Sequence, residues 1–294
     1  MLNLSSPLSS IVLGSLIILT LAYGGACWLL HQRQQQFIFF PSTQIEATPA
    51  AYGLPYNNVW ISVPSPTSQP EQIHGWWLPA DQSEAPVMLY LHGNGENIST
   101  NLSKTAWFHQ LGFAVLLIDY RGYGLSEGDF PSESQVYEDA EAAWNYLLHE
   151  MDISPERLFV FGHSLGGAIA IELATRHPNM AGLVIEGAFT SILEMSHRTK
   201  NFGIFPIERI LTQRFDSINK VRSLTMPVLY VHGTADDVVP TDMSQTLHDA
   251  TLSSSDLLLV SGAGHEDVAA VGEEVYGKAL RRFIKQTGYA LTPN

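Results

Sequence analysis

The sequence predicts an α/β protein in which helices cover both faces of a mostly parallel sheet, preceded by one hydrophobic helix. Short, wholly apolar runs bounded by turn residues predict buried strands. Longer helical segments separate most of these runs, which is the arrangement that parallel strands require. An uncharged stretch of 23 residues near the N-terminus predicts the additional helix.

The hydrophobic stretch Leu8 to Leu30 is expected to be a single-pass membrane anchor. As a helix it would be about 34 Å long, against a hydrocarbon core of ~30 Å. A cleaved signal peptide is the alternative, because "GGAC" offers small residues at which a peptidase can cut. The tail 1–7, however, contains no Lys or Arg, so the positive region of a signal peptide is missing. The charge of Arg33, helped by His31, favours a cytoplasmic C-terminal domain.

Residues 31–56 are expected to form a juxtamembrane linker. A polar stretch is followed there by the aromatic cluster Phe37, Phe39 and Phe40, directly before Pro41. Two placements of the cluster are equally compatible with the sequence. The rings can lie at the bilayer interface, or they can dock onto the folded domain.

Residues 57–287 are predicted to form the α/β domain, with a tail over 288–294. The region 188–224 breaks the alternation of strands and helices, lacks a clear strand, and is predicted to be a small lid. The predicted strands are 58–63, 72–78, 87–92, 114–119, 158–161, 183–186, 228–232 and 257–260. The predicted helices are 97–110, 134–149, 165–173, 243–250 and 268–285.

Composition and charge exclude several classes of protein. Hydrophobic residues make up 45% of the chain and charged residues 15%, which is the balance of a folded protein with an added apolar segment. The formal net charge of −14 makes nucleic acid an unfavourable partner and disfavours broad electrostatic adhesion to anionic lipid. Cys27 is the single cysteine, which excludes an intrachain disulfide and a cysteine-based zinc site.

The stretch "FVFGHSLGGAIAIE" places one serine where a predicted strand meets a predicted helix. A sharp turn at that point brings backbone segments close together, and glycine at 162 and 166 removes the side chains that would obstruct them. Gly162 to Gly166 fits G-x-S-x-G, the nucleophile elbow. Ser164 is therefore the candidate nucleophile, at the carboxyl edge of the sheet.

A serine hydroxyl needs a base to take its proton, and the base needs a partner that orients it. His265, in "GAGHEDV" after the last strand, is the candidate base; the alternative is a loop histidine that bonds to a neighbouring carboxylate. In "HGTADDVVP" the favoured acid is Asp236, four residues after His232, and Asp237 is interpreted as a solvated or helix-capping neighbour. The chain order of serine, acid and histidine is typical of this arrangement.

Three other histidines lie near the predicted edge of the sheet. The ring of His163, beside Ser164, should point away from the serine, and we interpret it as structural. His92 and His232 precede glycines at strand ends and are interpreted as residues that shape loops. No histidine or carboxylate spacing resembles a metal site, so no metal and no cofactor are expected.

Attack on a carbonyl group creates an oxyanion that needs preformed hydrogen-bond donors. The backbone N–H of Leu165, at the start of the helix, is one candidate. The backbone N–H of Asn94, in "LHGNGEN" after the strand 87–92, is the other. The alternatives are a plain turn or a phosphate-binding loop, but no G-K-[ST] follows Gly95.

With these residues in hand, the chain resembles the α/β-hydrolase superfamily over residues 58–286, and in particular the membrane-anchored Bem46-like hydrolases, which are related to the α/β-hydrolase domain-containing 13 and 17 proteins. The resemblance is carried by the anchor and by "RQQQFIFFPS", "LHGNGEN", "IDYRGYGLSEG", "GHSLGG", "HGTADDVVP" and "GAGH". It implies an eight-stranded sheet, and it implies that Asp119 and Arg121 hold a loop beside the pocket. The site residues that it implies are Ser164, Asp236 and His265 as nucleophile, acid and base, with Asn94 and Leu165 as oxyanion donors.

These features together predict a membrane-anchored serine hydrolase that cleaves carboxylic esters or thioesters through an acyl-enzyme. An anchor next to an apolar lid favours acyl or lipid-like substrates. A serine peptidase or amidase on the same scaffold is the first alternative, and a non-catalytic binding protein is the second. The oligomeric state is left open. The lid residues on which the acyl prediction rests are Phe189, Ile192, Phe202, Ile204 and Phe205.

Overall fold

An eight-stranded sheet forms the centre of the computed structural model, which describes residues 7–65, 69–199, 202–289 and 291. In chain order the strands are β1 (Asn57–Val63), β2 (Glu71–Leu78), β3 (Val87–Leu91), β4 (Ala114–Ile118), β5 (Leu158–His163), β6 (Gly182–Glu186), β7 (Val228–Gly233) and β8 (Ser255–Val260). Their order across the sheet is β8-β7-β6-β5-β3-β4-β2-β1. Only β2 runs antiparallel to its neighbours, β1 and β4. The eight predicted strands are confirmed, with ends that differ by one or two residues at most.

Helices cover both faces of this sheet. The faces carry separate cores, one beneath α3, α4 and α8 and the other beneath α2 and α10. A 3-10 turn, Ile98–Asn101, precedes α2. The predicted helix 97–110 is therefore α-helical only from Leu102, and its first turn is a 3-10 helix. The helices are α1 (Pro7–Arg33), α2 (Leu102–Gln110), α3 (Glu133–His149), α4 (Leu165–Arg176), α5 (Ile192–Arg198), α6 (Ile207–Ile210), α7 (Ser217–Lys220), α8 (Asp242–Ala250), α9 (Val268–Val271) and α10 (Glu273–Gln286).

Strand β3 shows why the central strands appear in the sequence as unbroken apolar runs. Successive side chains of a strand point to opposite faces of the sheet. Val87, Leu89 and Leu91 therefore enter the core beneath α3 and α4, whereas Met88 and Tyr90 enter the core beneath α2 and α10. All five are buried, because neither face is left to water.

The predicted helix 268–285 is interrupted at Gly272, which is a correction to the sequence analysis. Gly272 has φ −105° and ψ 20°, and the chain divides there into α9 and α10. A Cβ atom at Gly272 would lie 2.6 Å from Cγ1 of Val260, at the end of β8. The close approach of α10 to the sheet thus requires a glycine at the break.

The region predicted as a lid lies between β6 and β7 and carries the short helices α5, α6 and α7. Its described residues contain no strand, as predicted; residues 200–201 lie outside the described part. The predicted tails 1–7 and 288–294 also fall largely outside it. Side chains of the lid cover the carboxyl edge of the sheet, where Ser164 lies.

Helix α1 stands apart from both cores. By length and composition the segment Ser10–Phe37 suffices to cross a membrane, and none of its most apolar window is buried. Its large side chains, among them Leu16, Ile18 and Leu21, are exposed. Burial in a protein core therefore does not explain this apolar helix.

The aromatic cluster that follows α1 docks onto the domain in part. Phe39 is buried, and its ring lies 6.1 Å from that of Phe215 and 6.4 Å from that of Phe130. Phe37 and Phe40 remain exposed. A short parallel pairing of 40–41 with 95–96 fastens the segment beside the loop that carries Asn94.

Candidate active site

Ser164 occupies a strained turn between β5 and α4. Its φ of 52° and ψ of −117° are unusual for a residue with a side chain. Its N–H donates to the carbonyl oxygen of Glu186, at 2.8 Å, which ties the turn to the end of β6. A Cβ at Gly162 would lie 2.3 Å from the carbonyl oxygen of Gly166, and one at Gly166 would lie 2.1 Å from that of Leu91. The two glycines therefore make the turn possible, and it presents the serine at the edge of the sheet.

Asp236 and His265 come together from the loops that follow β7 and β8. The Nδ1 atom of His265 lies 2.7 Å from Oδ2 of Asp236. The other oxygen, Oδ1, accepts hydrogen bonds from the N–H groups of Val238 and Val239. Since Nδ1–H donates to the carboxylate, the neutral ring keeps Nε2 free to accept a proton.

A second histidine, His232, also holds the carboxylate of Asp236. Its Nε2 lies 3.0 Å from Oδ2 of Asp236 and 2.9 Å from the carbonyl oxygen of Val239, and its Nδ1 lies 2.6 Å from Oγ of Ser244. Burial by itself would raise the pKa of Asp236. The hydrogen bonds from His232, His265 and the N–H of Val239 outweigh burial and hold that pKa well below its usual range. Asp236 is thus an ionised acceptor at neutral pH.

Gly187 links the serine turn to the histidine loop. It follows Glu186, has a φ of +59°, and its N–H donates to the carbonyl oxygen of Val231 at 3.0 Å. A Cβ at Gly187 would lie 3.3 Å from Cε1 of His265 and 3.8 Å from Oδ2 of Asp236. The imidazole therefore packs directly against the backbone that follows β6.

His163 supports the same loop from beneath. Its ring is buried and lies 4.9 Å from the ring of His265, centroid to centroid. Its Nε2 lies 3.0 Å from the backbone carbonyl oxygen of His265. Burial first, and then the charges of Lys104 and His265, hold the pKa of His163 far below its usual value, so the neutral ring donates to that carbonyl. This is the structural role predicted for His163.

The loop with Asn94 closes over the other side of Ser164. A Cβ at Gly93 would lie 3.6 Å from Cβ of Ser164. The carbonyl oxygen of Asn94 accepts from the hydroxyl of Tyr123 and the N–H of Phe40, each at 2.8 Å, which fixes the loop. Leu165 is the first residue of α4, so its N–H has no acceptor within the helix. Asn94 and Leu165 line the same pocket as Ser164.

A buried ion pair beneath the serine turn was not anticipated from the sequence. The Lys104 ammonium, on α2, contacts the carboxylate of Glu186, whose backbone carbonyl holds the N–H of Ser164. Both side chains are buried, and Lys104 also lies over the ring of Phe161, 5.6 Å from its centroid. The two partners are 82 positions apart in the chain, and the sequence around either residue does not predict the contact.

One group of side chains at the site has the donor types of a metal centre. The ligand atoms of His163, His265 and Glu266 lie within 4.8 Å of one another. Two of the ring nitrogens are already used, however: Nδ1 of His265 faces Asp236, and Nε2 of His163 faces a carbonyl oxygen. These hydrogen bonds account for the orientation of both rings without an ion, and a metal would have to use the other nitrogen of each ring, Nε2 of His265 and Nδ1 of His163.

An apolar cavity of about 250 Å³ opens above Ser164. Ile204 and Phe205, two of the five lid residues on which the acyl prediction rests, do not line this cavity. Ile204 is exposed, and Phe205 stacks on Tyr23 of α1, because the lid turns these two side chains toward the helix. The lid residues that do line the cavity are Phe189, Ile192, Met195, Ser196, Thr199, Phe202, Ile207, Ile210 and Leu211.

Comparison with known proteins relates this architecture to characterised folds. The family model described as serine aminopeptidase, S33, matches residues 82–215, a range that contains Ser164 but neither Asp236 nor His265. The chain is 33% identical over 271 residues to the uncharacterized protein Rv2307c of Mycobacterium tuberculosis, covering 92% of this chain and 94% of the relative. It is 28% identical over 282 residues to the alpha/beta hydrolase domain-containing protein WAV2 of Arabidopsis thaliana, covering 88% and 89%.

A solved structure matches the fold. The esterase Pf2001 of Pyrococcus furiosus aligns with a TM-score of 0.68 at 19% identity, over 85% of this chain and 98% of that one. At that identity the likeness concerns the fold alone. The sheet order and the strand–turn–helix at Ser164 are therefore those of a known architecture.

Proposed function

The chain belongs to the α/β-hydrolase superfamily, and we propose on that premise that it is a serine hydrolase that cleaves carboxylic esters or thioesters. The observation that carries the proposal is the strained turn that places Ser164 on an apolar cavity. The hydrogen-bonded pair His265 and Asp236 packs against Gly187, the residue after Glu186, whose carbonyl oxygen holds the N–H of Ser164. A strained non-glycine turn has to be stabilised by its surroundings, and such turns cluster at active sites.

In the proposed reaction, the Oγ atom of Ser164 attacks the carbonyl carbon of the ester while Nε2 of His265 takes the hydroxyl proton. Asp236 accepts the Nδ1–H hydrogen bond, which fixes the tautomer and stabilises the imidazolium. The oxyanion receives hydrogen bonds from the N–H groups of Leu165 and Asn94. His265 then returns the proton to the leaving alcohol or thiol, and water repeats the cycle on the acyl-enzyme. The proposed reaction uses only side chains, backbone N–H groups and water, without a cofactor.

The lining of the cavity supports an acyl substrate. The lid residues Phe189, Ile192 and Phe202 present apolar side chains within the same cavity as Ser164. Burial of a hydrocarbon chain in an apolar cavity with few polar groups contributes favourably to the free energy of binding. The proposed substrates are therefore esters or thioesters of fatty acyl groups.

Helix α1 supports a membrane location for this activity. Its length, its apolar composition and the exposure of its side chains suit a single-pass anchor. The 3-10 turn that directly follows it is also joined to the domain: the side-chain oxygen of Gln34 accepts from the N–H groups of Thr212 and Gln213. Such integration favours retention of the helix over removal as a signal peptide, and Arg33 favours a cytoplasmic domain.

A serine aminopeptidase is the second candidate, because the matching family model carries that description. An aminopeptidase has to bind a positively charged α-amino group, for which an acidic side chain is the usual partner. None of the described residues that line the cavity is acidic. Turnover of amino-acid 4-nitroanilides at rates equal to those of nitrophenyl esters would favour the peptidase.

Reaction of the purified full-length protein with a fluorophosphonate probe tests the proposal. We expect one adduct, on Ser164, that is absent in Ser164→Ala and formed far more slowly in Asp236→Asn and His265→Ala. Asp237→Asn is the matched control and should react like the wild type. A folded wild type that forms no adduct would contradict the proposal and favour a non-catalytic binding protein.

A further inference from the structure

The lid is fastened along the C-terminal half of α1. The hydroxyl of Tyr23 donates to the carbonyl oxygen of Ile204 at 2.7 Å, and its ring stacks on that of Phe205. Nearer the end of the helix, Nδ1 of His31 lies 2.9 Å from the carbonyl oxygen of Ile210. The contacts span the last turns of the apolar segment and the start of the polar one. The lid therefore lies alongside the C-terminal half of α1, from Tyr23 to His31, and does not contact the end of the helix alone.

These contacts set a depth for the lid. Tyr23 precedes Leu30, the end of the uncharged stretch, by seven residues, which is about 10 Å along a helix. If α1 crosses the bilayer, the lid touches it that far inside the apolar layer, the depth typical of interfacial segments. Ile204 is 74% exposed and lies at this depth. An exposed isoleucine there would be buried by acyl chains.

The charge of the lid is opposite to that of the chain. The whole chain has a formal charge of −14, yet residues 188–224 contain six of its 15 Lys and Arg residues and only three of its 29 Asp and Glu residues. A basic segment next to an anchor is attracted to anionic lipid headgroups, while the acidic remainder is repelled. Arg198 and Lys220 are paired with Asp242 and Glu172 outside the lid, and the remaining excess of basic residues supports the lid as the face turned toward the membrane.

The end of α1 and the 3-10 turn Gln34–Phe37 that follows it form part of the cavity wall. Leu30, Gln34 and Phe37 line the cavity together with Ser164, and the ring of Phe37 lies 5.9 Å from that of Phe202 on the lid. Gln34 is buried and holds the lid by its two accepted hydrogen bonds. The cavity therefore lies between the helix end and the lid, at the level where the bilayer begins.

We infer that the lid sits in the lipid leaflet beside α1, and that the substrate is a membrane lipid ester whose acyl chain passes between α1 and the lid to Ser164. The inference rests on the proposed function for its chemistry and on α1 as an anchor for its geometry. It assigns to the end of the anchor a second role, as the wall that selects the acyl chain. Leu30 is the specificity-determining residue of that wall.

The first experiment places a tryptophan in the wall and compares two esters of one fluorophore, 4-methylumbelliferone. Full-length protein in nanodiscs of phosphatidylcholine and phosphatidylglycerol is given the acetate or the palmitate. Leu30→Trp should lower turnover of the palmitate at least tenfold more than it lowers turnover of the acetate. Leu29→Trp is the matched control, because Leu29 is exposed and does not line the cavity; it should change neither rate. Equal effects of Leu30→Trp on both esters, or no effect, would overturn the inference.

The second experiment measures the depth of the lid in the bilayer and does not depend on enzymatic turnover. In a Cys27→Ser background, Ile204→Cys or Leu252→Cys carries a polarity-sensitive thiol fluorophore. Leu252 is 79% exposed and precedes β8, at the edge of the sheet opposite the lid. The label at 204 should be quenched by nitroxide lipids and protected from aqueous iodide. The label at 252 should be quenched by aqueous iodide and unaffected by nitroxide lipids. Iodide quenching of 204 as strong as that of 252 would overturn the inference.

The two experiments separate the inference from the proposed function. A protein without fluorophosphonate reactivity and without turnover of either ester refutes the hydrolase, whatever the label at 204 reports. A protein that turns over both esters but whose wall variant is indifferent to chain length keeps the hydrolase and refutes the lipid path.

Discussion

The Nε2 atom of His232 lies 3.0 Å from Oδ2 of Asp236, so the carboxylate that contacts His265 is held by a second, fully buried histidine. The same Nε2 faces the carbonyl oxygen of Val239, and Ser244 occupies Nδ1. Both nitrogens of the His232 ring are thus engaged, and the contacts with Ser244 and Val239 hold the ring in the orientation in which Nε2 reaches Asp236. We interpret His232 as the residue that positions the proposed acid.

Replacement of His232 by phenylalanine should lower kcat/KM for esters at least tenfold, because Asp236 loses a donor and its fixed orientation. The lowered pKa of Asp236 means that its ionisation stabilises the fold above pH ~4 and that this stabilisation is lost as pH falls through the folded-state pKa. Without His232 that pKa rises, so acid unfolding should begin at a higher pH. Circular dichroism during acid titration measures the shift.

Ser244→Ala is the graded control for His232. It removes the contact at Nδ1 and leaves the contact between Nε2 and Asp236 in place. Its effects on turnover and on acid unfolding should be in the same direction but smaller. A His232→Phe variant as active and as acid-resistant as the wild type would show that the second histidine is not needed to position the carboxylate.

Replacement of Gly166 by alanine should destabilise the fold by about 3 kcal/mol and slow fluorophosphonate labelling of Ser164. The new Cβ would lie 2.1 Å from the carbonyl oxygen of Leu91 and 2.5 Å from that of His92, and backbone atoms cannot rotate away. Gly277→Ala is the matched control within a helix, because the nearest atom to its new Cβ is the flexible guanidinium of Arg281. It should leave labelling unchanged and stabilise slightly. Denaturant unfolding and labelling rates, measured on both variants, decide the comparison.

The sequence predicted those parts of the molecule that are encoded locally. Each central strand is a short apolar run, and the glycines around Ser164 mark a turn that only small residues permit. The burial of Lys104 depends on its ion pair with Glu186, which is 82 positions away in the chain. The hydrogen bonds between Gln34 and the lid likewise join residues that are 178 and 179 positions apart. Such contacts arise only when the fold is complete. The break at Gly272 escaped prediction for the same reason, because the side chain that Gly272 approaches, Val260, belongs to β8 and not to the helical segment.

Lys104→Met should destabilise the protein by about 3–5 kcal/mol, since it leaves the buried carboxylate of Glu186 without its cation. It should also slow labelling of Ser164, whose N–H is held by the backbone of Glu186. Adding Glu186→Gln to Lys104→Met should restore part of the stability, because the stranded charge is removed. Lys278→Met, which breaks an exposed pair with Glu274, is the control and should have little effect. Equal stabilities of the Lys104 and Lys278 variants, measured by denaturant unfolding, would contradict the expectation.

The carboxyl group of Asp119, at the end of β4, supports the last prediction. It is buried beside His92, with 3.5 Å between Oδ1 and Nε2, and it accepts a hydrogen bond from the N–H of Ile98. Burial raises the pKa of Asp119 to about 8, in spite of that hydrogen bond, and burial lowers the pKa of His92 to about 4. At pH 7 both groups are therefore neutral in the folded protein.

Because the folded-state pKa of Asp119 lies above its usual value, the unfolded chain releases this proton first as pH rises. The free energy of unfolding should therefore fall between pH ~4 and pH ~8 by a contribution that Asp119→Asn lacks. The stability of the wild type relative to this variant should decrease steadily from pH 5 to pH 8. Glu274→Gln is the control: the hydrogen bond from Lys278 lowers the pKa of Glu274 below its usual value of ~4.3, so the difference in stability between this variant and the wild type should stay constant from pH 5 to pH 8. Parallel curves for wild type and Asp119→Asn in urea unfolding would mean that Asp119 is ionised and paired with a charged His92.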